Sequence, residues 1–174
     1  MHSAFEANAA TPAIPIHFVM PSTWDTIAKG LSEPARRFAQ AQAFTSKPGK
    51  CLVLPAADGT IEAVLFGLDE ATSPKHDPFR PGQLPGLLPP GVYRFANAPH
   101  DARLATLAFA LGCYRFARYR KNEAPDVRLV PPDGVDIDNV SRIADAAGLA
   151  RDLINTPAND MGPAELEAAA RDLA

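Results

Sequence analysis

Apolar and polar positions follow two different periods along this chain, and the switches between them mark out its elements. Ile14 to Met20 is apolar, partly β-branched and closed by Pro21, which predicts a strand; Pro15 lacks a ladder donor, so pairing is expected to begin after it. Glu33 to Phe44 has the helical period, with Ser32 as N-cap, Pro34 in the first turn and Phe38 sharing a face with Ala41 or Gln42. Cys51 to Leu54 and Ile61 to Leu68 are two apolar runs on either side of Ala57-Asp58-Gly59-Thr60. Asp-Gly between such runs predicts a hairpin, because both central residues take positive φ at little cost.

Asp69 to Pro90 holds Pro74, Pro78, Pro81, Pro85, Pro89 and Pro90, so it reads as loop with room for a short helix near Gln83 to Leu88. Gly91 to Ala96 alternates as a strand. Asn97 or Asp101 then caps a helix expected to run to about Tyr119. Leu104, Leu107, Ala108 and Leu111 line one face of it and Phe109, Cys113 and Phe116 another, so it should be buried on most sides. Asp126 to Val130 predicts another strand, stopped by Pro131-Pro132. A long helix follows from about Ile137 to Ile154, with Val140, Ile143, Ala144, Ala147 and Ile154 as its stripe, ended by Asn155-Thr156-Pro157. Gly162-Pro163-Ala164-Glu165 starts a last helix. The order of elements predicts an α/β fold, a mixed sheet flanked by helices. Leu166, Ala169, Ala170 and Leu173 give the last helix an apolar stripe with nothing after it to cover it. The chain is therefore expected to be a fragment, with this helix opening a second domain.

The bulk numbers narrow the function classes. The 174 residues suffice for one domain and the first element of a second. A net charge of −3 and a pI near 5.8 give no electrostatic case for nucleic acid or an anionic membrane. No apolar run is long enough to span a bilayer, and residues 1–13 lack the charged start and apolar stretch of a secretory signal. That N-terminal stretch is small and polar and is expected to be disordered. Cys51 and Cys113 sit in apolar segments and read as buried, reduced thiols, which points to a cytoplasmic protein.

Candidate chemistry is sparse. His2, His17, His76 and His100 show no metal-ligand spacing, although His76-Asp77 and His100-Asp101 are dipeptides that a fold can bring together. The plainer expectation puts His100 and Asp101 at a helix start and His76 in a solvated loop. Gly82, Gly86 and Gly91 do not have the pattern of a phosphate-cradling loop. Arg115, Arg118, Arg120 and Lys121, interleaved with Tyr114, Phe116 and Tyr119, suit the negative end of a helix dipole better than a phosphate backbone. Ser22, Ser32, Ser46, Ser73 and Ser141 lack a nucleophile-elbow context. Asp133, Asp136 and Asp138 cluster where negative charge favours a helix N-terminus. No catalytic, cofactor-binding or metal residue is assigned.

Arg151, Leu153, Asn155, Pro157 and Asn159, followed by a helix starting at Pro163, resemble the interdomain junction of the leucyl (cytosol) aminopeptidase family, R-x-L-x-N-x-P-x-N. Leu84 to Phe95 and Leu111 to Lys121 resemble two further stretches of that family, and Gly162 departs from it where Thr or Ser is common. The resemblance implies a macro-domain-like N-terminal domain joined by a long helix to a catalytic domain that holds two divalent metals, zinc or manganese. After the N-terminus at 1–13, expected to be disordered from its composition, the division is the α/β domain at 14–135, the connecting helix at 136–156 and, as the resemblance implies, the start of the missing catalytic domain at 157–174. The family's metal motifs, similar to G-K-G-x-x-x-D-x-G-G and N-T-D-A-E-G-R, do not occur in this chain. The implied role is non-catalytic: assembly of a homohexamer and control of peptide access to an aminopeptidase site. The alternatives are a free-standing domain that binds ADP-ribose or a nucleotide, and a DNA-binding role.

Overall fold

A computed structural model describes residues 1–119 and 125–173. Five strands form one mixed sheet: β1 (Ile14–Val19), β2 (Cys51–Pro55), β3 (Ile61–Gly67), β4 (Gly91–Phe95) and β5 (Val127–Leu129), in the order β2-β3-β1-β4-β5. β2 is antiparallel to β3, and the remaining neighbours are parallel. The central β1 is covered on both faces, which is why it reads as an apolar run rather than an alternation. Its pairing with β3 begins at Ile16, after Pro15, while its pairing with β4 takes in Ile14 and Pro15 as well. Asn97 extends the β1–β4 ladder with its side chain: its amide accepts from the Phe18 N–H at 2.8 Å and donates to the Phe18 carbonyl at 2.9 Å.

Helices α1 (Trp24–Gly30) and α2 (Glu33–Ala41) cover one face, where Val19, Leu54, Ala63 and Leu65 are buried with Ala35, Ala39 and Phe44. On the other face α3 (Ala102–Cys113), α4 (Ile137–Asn155) and a short 3-10 helix, Arg80–Gly86, enclose Ile16, Phe18, Val64, Phe66 and Tyr93. Helix α5 (Pro163–Leu173) follows and buries no residue. The caps follow the sequence: Ser32, Asp101 and Asp136 accept from Ala35, Leu104 and Asn139 N–H groups.

Several elements differ from expectation, each for a local reason. The pattern predicts no element at Trp24–Gly30, which is helical but has no buried residue to create a periodic signal. The helix in the proline-rich segment starts at Arg80 rather than near Gln83, with Pro81 in its first turn. Helix α3 stops at Cys113, not near Tyr119. The Leu111 carbonyl accepts from Arg151 and the Gly112 and Tyr114 carbonyls from Arg115, and Tyr114 is already extended. The hairpin turn has positive φ at Gly59 alone; Asp58 instead accepts from the Thr60 N–H and hydroxyl. On α4, Val140 and Ala144 are buried, but Ile143 is 37% and Ile154 81% exposed.

The first residues are not a disordered tail. Ala4 and Phe5 are buried, Phe5 bridges Leu129 in parallel, and the Leu129 N–H donates to the Ala4 carbonyl while the Glu6 N–H donates to the Leu129 carbonyl. Glu6 pairs with Arg128, and the His2 N–H donates to Ser141 on α4. Burying the Phe5 ring against β5 offsets the cost of ordering this short strap. His2 Nδ1 accepts from the Ala4 N–H, so that ring nitrogen is unprotonated. Burial lowers the His2 pKa despite Asp145 nearby, and burial together with Arg94 lowers that of His17. Both imidazoles therefore stay neutral in the fold at a pH where the unfolded chain takes up protons. Their contribution is complete above the ordinary histidine pKa and is lost as pH falls through the depressed folded values. The melting temperature is expected to fall between pH 7 and pH 5, and less so in His17→Gln; a flat profile over that range would contradict this assignment.

Candidate functional site

A cluster of polar contacts lies where α4 crosses the end of α3. The Tyr114 hydroxyl donates to Asp152 at 2.7 Å and accepts from the Asn155 amide at 3.2 Å. The Arg151 guanidinium lies over the Tyr114 ring, 5.3 Å from its centroid, and donates to the Leu111 carbonyl at 2.9 Å. Burial and the Asp152 bond push the Tyr114 phenol above its ordinary pKa. Thr156, buried at the helix end, returns a bond from its hydroxyl to the Asp152 carbonyl. One tyrosine is thus held by three residues of α4, and the helix is fixed in angle and rotation against the sheet domain. Beyond Pro157, Tyr119 reaches Asp160 at 2.5 Å.

This cluster gives physical content to the junction motif. Arg151 and Asn155 are motif positions that act on Tyr114 and Leu111, about forty residues earlier. Pro157 ends the helix, and Leu153 is only half-buried and Asn159 exposed. The helical period of the sequence runs through Tyr114, which hides its role as the centre of this cluster; the residue lies just beyond α3.

The other candidate residues serve local roles. Ser22 donates to the Glu70 carboxylate, Ser32 caps α2 and donates to the Glu62 carboxylate, and Ser141 accepts from the His2 backbone N–H, so each hydroxyl holds a turn, a cap or the N-terminal strap in place. Arg115 caps α3, Arg118 lies over the Tyr119 ring, and Arg120 and Lys121 fall outside the described residues. Asp136 caps α4. Gly82 packs against the Ala108 carbonyl, so it is used for close helix approach and not for a phosphate cradle. Cys51 and Cys113 are free, and burial pushes both thiols up to about 11. His76 and His100 do meet, with ring centroids 4.7 Å apart. Among the described residues no helix is long and apolar enough to cross a membrane.

A mixed, largely parallel sheet covered on both faces, with a helix clamped at the end of α3, defines the class by its fold: an α/β domain. Residues 14–132 match the sequence profile of the M17 aminopeptidase N-terminal domain. The chain belongs to that family. A probable cytosol aminopeptidase of Roseiflexus castenholzii is 40% identical over 37% of this chain and 16% of its own length. The crystal structure of the cytosol aminopeptidase from Coxiella burnetii superposes with a TM-score of 0.80 at 30% identity, over 97% of this chain and 36% of that one. A tomato leucine aminopeptidase mutant shares the fold, with a TM-score of 0.61 at 17% identity, over 97% of this chain and 40% of that one. The chain therefore spans well under half the length of these relatives.

Proposed function

We propose that this chain is the non-catalytic N-terminal region of a metal-dependent leucyl aminopeptidase, a cytoplasmic enzyme that removes N-terminal amino acids from peptides. The observation that supports this most is the similarity of nearly the whole chain to about a third of the Coxiella burnetii enzyme. In the parent enzyme two divalent ions, zinc or manganese, would supply water activation and polarisation of the scissile carbonyl. Among the described residues no group of three His, Cys, Asp or Glu side chains could hold a metal ion. These residues do not fit such a centre, and no step of the reaction is assigned to them.

Their contribution is placement. The Tyr114 clamp sets the direction of α4, and so the direction in which a following domain leaves the sheet. Ile143, Ile154, Leu166 and Leu173 are exposed on α4 and α5, which supports contacts with that domain or between subunits of a hexamer. The purified chain is expected to release no p-nitroaniline from leucine p-nitroanilide, with or without added Mn2+ or Zn2+. Turnover that tracks the chain through successive columns would sink the reading. The assembly role is tested in the full-length protein by light scattering after Ile154→Lys and Leu166→Lys, where an unchanged mass would remove this surface from the assembly.

A further inference from the structure

His76 comes from the proline-rich loop and His100 from the residue before the α3 cap, yet their rings meet edge to face, with an interplanar angle of 68°. The cleft around them is lined by Pro78, Pro81 and Pro99 and by Asp69, Asp77 and Asp101, whose carboxylates are held by Arg80 and by the Phe79 and Leu104 N–H groups. Its free space is about one water molecule in size. That is too small for an organic ligand, and the acidic lining disfavours an anion.

The nitrogen atoms supply the second part of the case. His76 Nε2 is buried without a hydrogen-bond partner. A ring contact alone would leave it so, at a cost of about 1–3 kcal/mol. His100 Nε2 lies 2.6 Å from the Asp69 carbonyl, which accepts only, so Nε2 carries the proton and Nδ1 is bare. A histidine that anchors one N–H on a backbone carbonyl and offers the other nitrogen is oriented as metal-bound imidazoles are. The Asp69 anchor is itself fixed by a bond from Arg80 to its carboxylate at 2.9 Å. Two imidazoles on one ion, each about 2.1 Å from it and 90–110° apart, have ring centres roughly 4.6–5.3 Å apart. The observed 4.7 Å falls in that range.

We propose that His76 and His100 form a two-imidazole site for a single divalent transition-metal ion of the zinc, nickel and copper group, bound in the cleft between the proline-rich loop and the start of α3. Among the described residues no third side chain is placed to chelate, so solvent completes the coordination and the site is an exchangeable one. It uses nothing of a two-metal catalytic centre, and its bound ion would pin the loop to the helix. Isothermal titration with Zn2+ is expected to show one saturable equivalent per chain in the micromolar range. The side-chain nitrogen signals of His76 and His100 should shift, while those of His2 and His17 stay in place. His76→Gln and His100→Gln should each weaken binding at least about tenfold. The proposal is overturned by an absence of saturable binding in the unaltered chain, by shifts confined to His2 or His17, or by undiminished affinity in both variants. The nitrogen signals of the unaltered protein decide the matter even where a variant fails to fold.

Discussion

Replacing Gly112 with alanine is expected to destabilise the fold by about 3 kcal/mol or more, because the added methyl must push two backbone segments apart. A Cβ at Gly112 would lie 2.1 Å from the Gly82 carbonyl oxygen and 3.0 Å from its carbon. The reciprocal contact is nearly as close: a Cβ at Gly82 would sit 2.8 Å from the Ala108 carbonyl oxygen. Neither obstacle is the end of a flexible side chain, so no rotamer change relieves it. The better helix propensity of alanine returns about 1 kcal/mol at most. For a domain of this size the net loss lowers the melting temperature by roughly 6–12 °C. Gly148→Ala on α4 is the control, since its methyl would meet only Tyr114 Cδ2 at an ordinary 3.9 Å, and a small gain is expected there. The double variant Gly82→Ala, Gly112→Ala should lose less than the sum of the singles, because one separation accommodates both methyls. A Gly112→Ala protein that melts within a degree of the unaltered chain would refute this packing of α3 on the 3-10 helix.

The same contact shows what was and was not legible in the sequence. β1 and β3 were readable because strands covered on both faces are apolar on both, and Ile16, Phe18, Val64 and Phe66 face one side while Val19, Ala63 and Leu65 face the other. α3 was readable as a buried helix because residues Ala105 to Ala110 are all buried, so apolar side chains recur all round it. Its end was not readable. Arg115 and Arg151 close the carbonyls of the last turn, and one of these comes from another helix. The glycines at 82 and 112 carry no local turn signal; what selects them is each other. The N-terminal strap was missed for a similar reason. Residues 1–13 are polar and small, and only the position of β5 shows that Phe5 has somewhere to go.

The candidate site divides along the same line. Arg151 and Asn155 stood out through their resemblance to a family pattern, which records that they matter but not what they touch. Tyr114, the group they touch, is separated from them by about forty residues and has no periodic signature of its own. His76 and His100 could be noted as two His-Asp dipeptides. Their meeting depends on how a loop rich in proline folds back over the start of α3, and hydrophobic periodicity says nothing about such a loop.

Hydrogen exchange is expected to separate α5 from the rest of the chain by about three orders of magnitude or more. α5 has eleven residues and none is buried; Leu166 is 53% and Leu173 73% exposed. Its own stabilising contacts are few. Glu165 accepts from the Gly162 N–H at 3.0 Å, and Arg171 pairs with Glu167 one turn away. An exposed pair of that kind adds about 0.3–0.5 kcal/mol, and helices shorter than about 12–15 residues are marginal in water because few bonds follow a costly nucleus. Amides from Leu166 to Leu173 should therefore exchange within about tenfold of an unfolded peptide, since fraying opens them without disturbing the core. Amides of Ala105 to Ala110 should open only with the whole domain. α4 should grade between these limits. Its first half carries the buried Val140, Ser141 and Ala144, while its second half is held by the Tyr114 clamp and leaves Ile154 in water. Tyr114→Phe removes the bonds to Asp152 and Asn155 and should speed exchange from Arg151 to Asn155 while leaving Val140 to Ala144 unchanged. If α5 proved as protected as α3 in dilute solution, its leucines would have to be covered by a surface of this chain from which the structure places them apart, and the placement of α5 would be wrong.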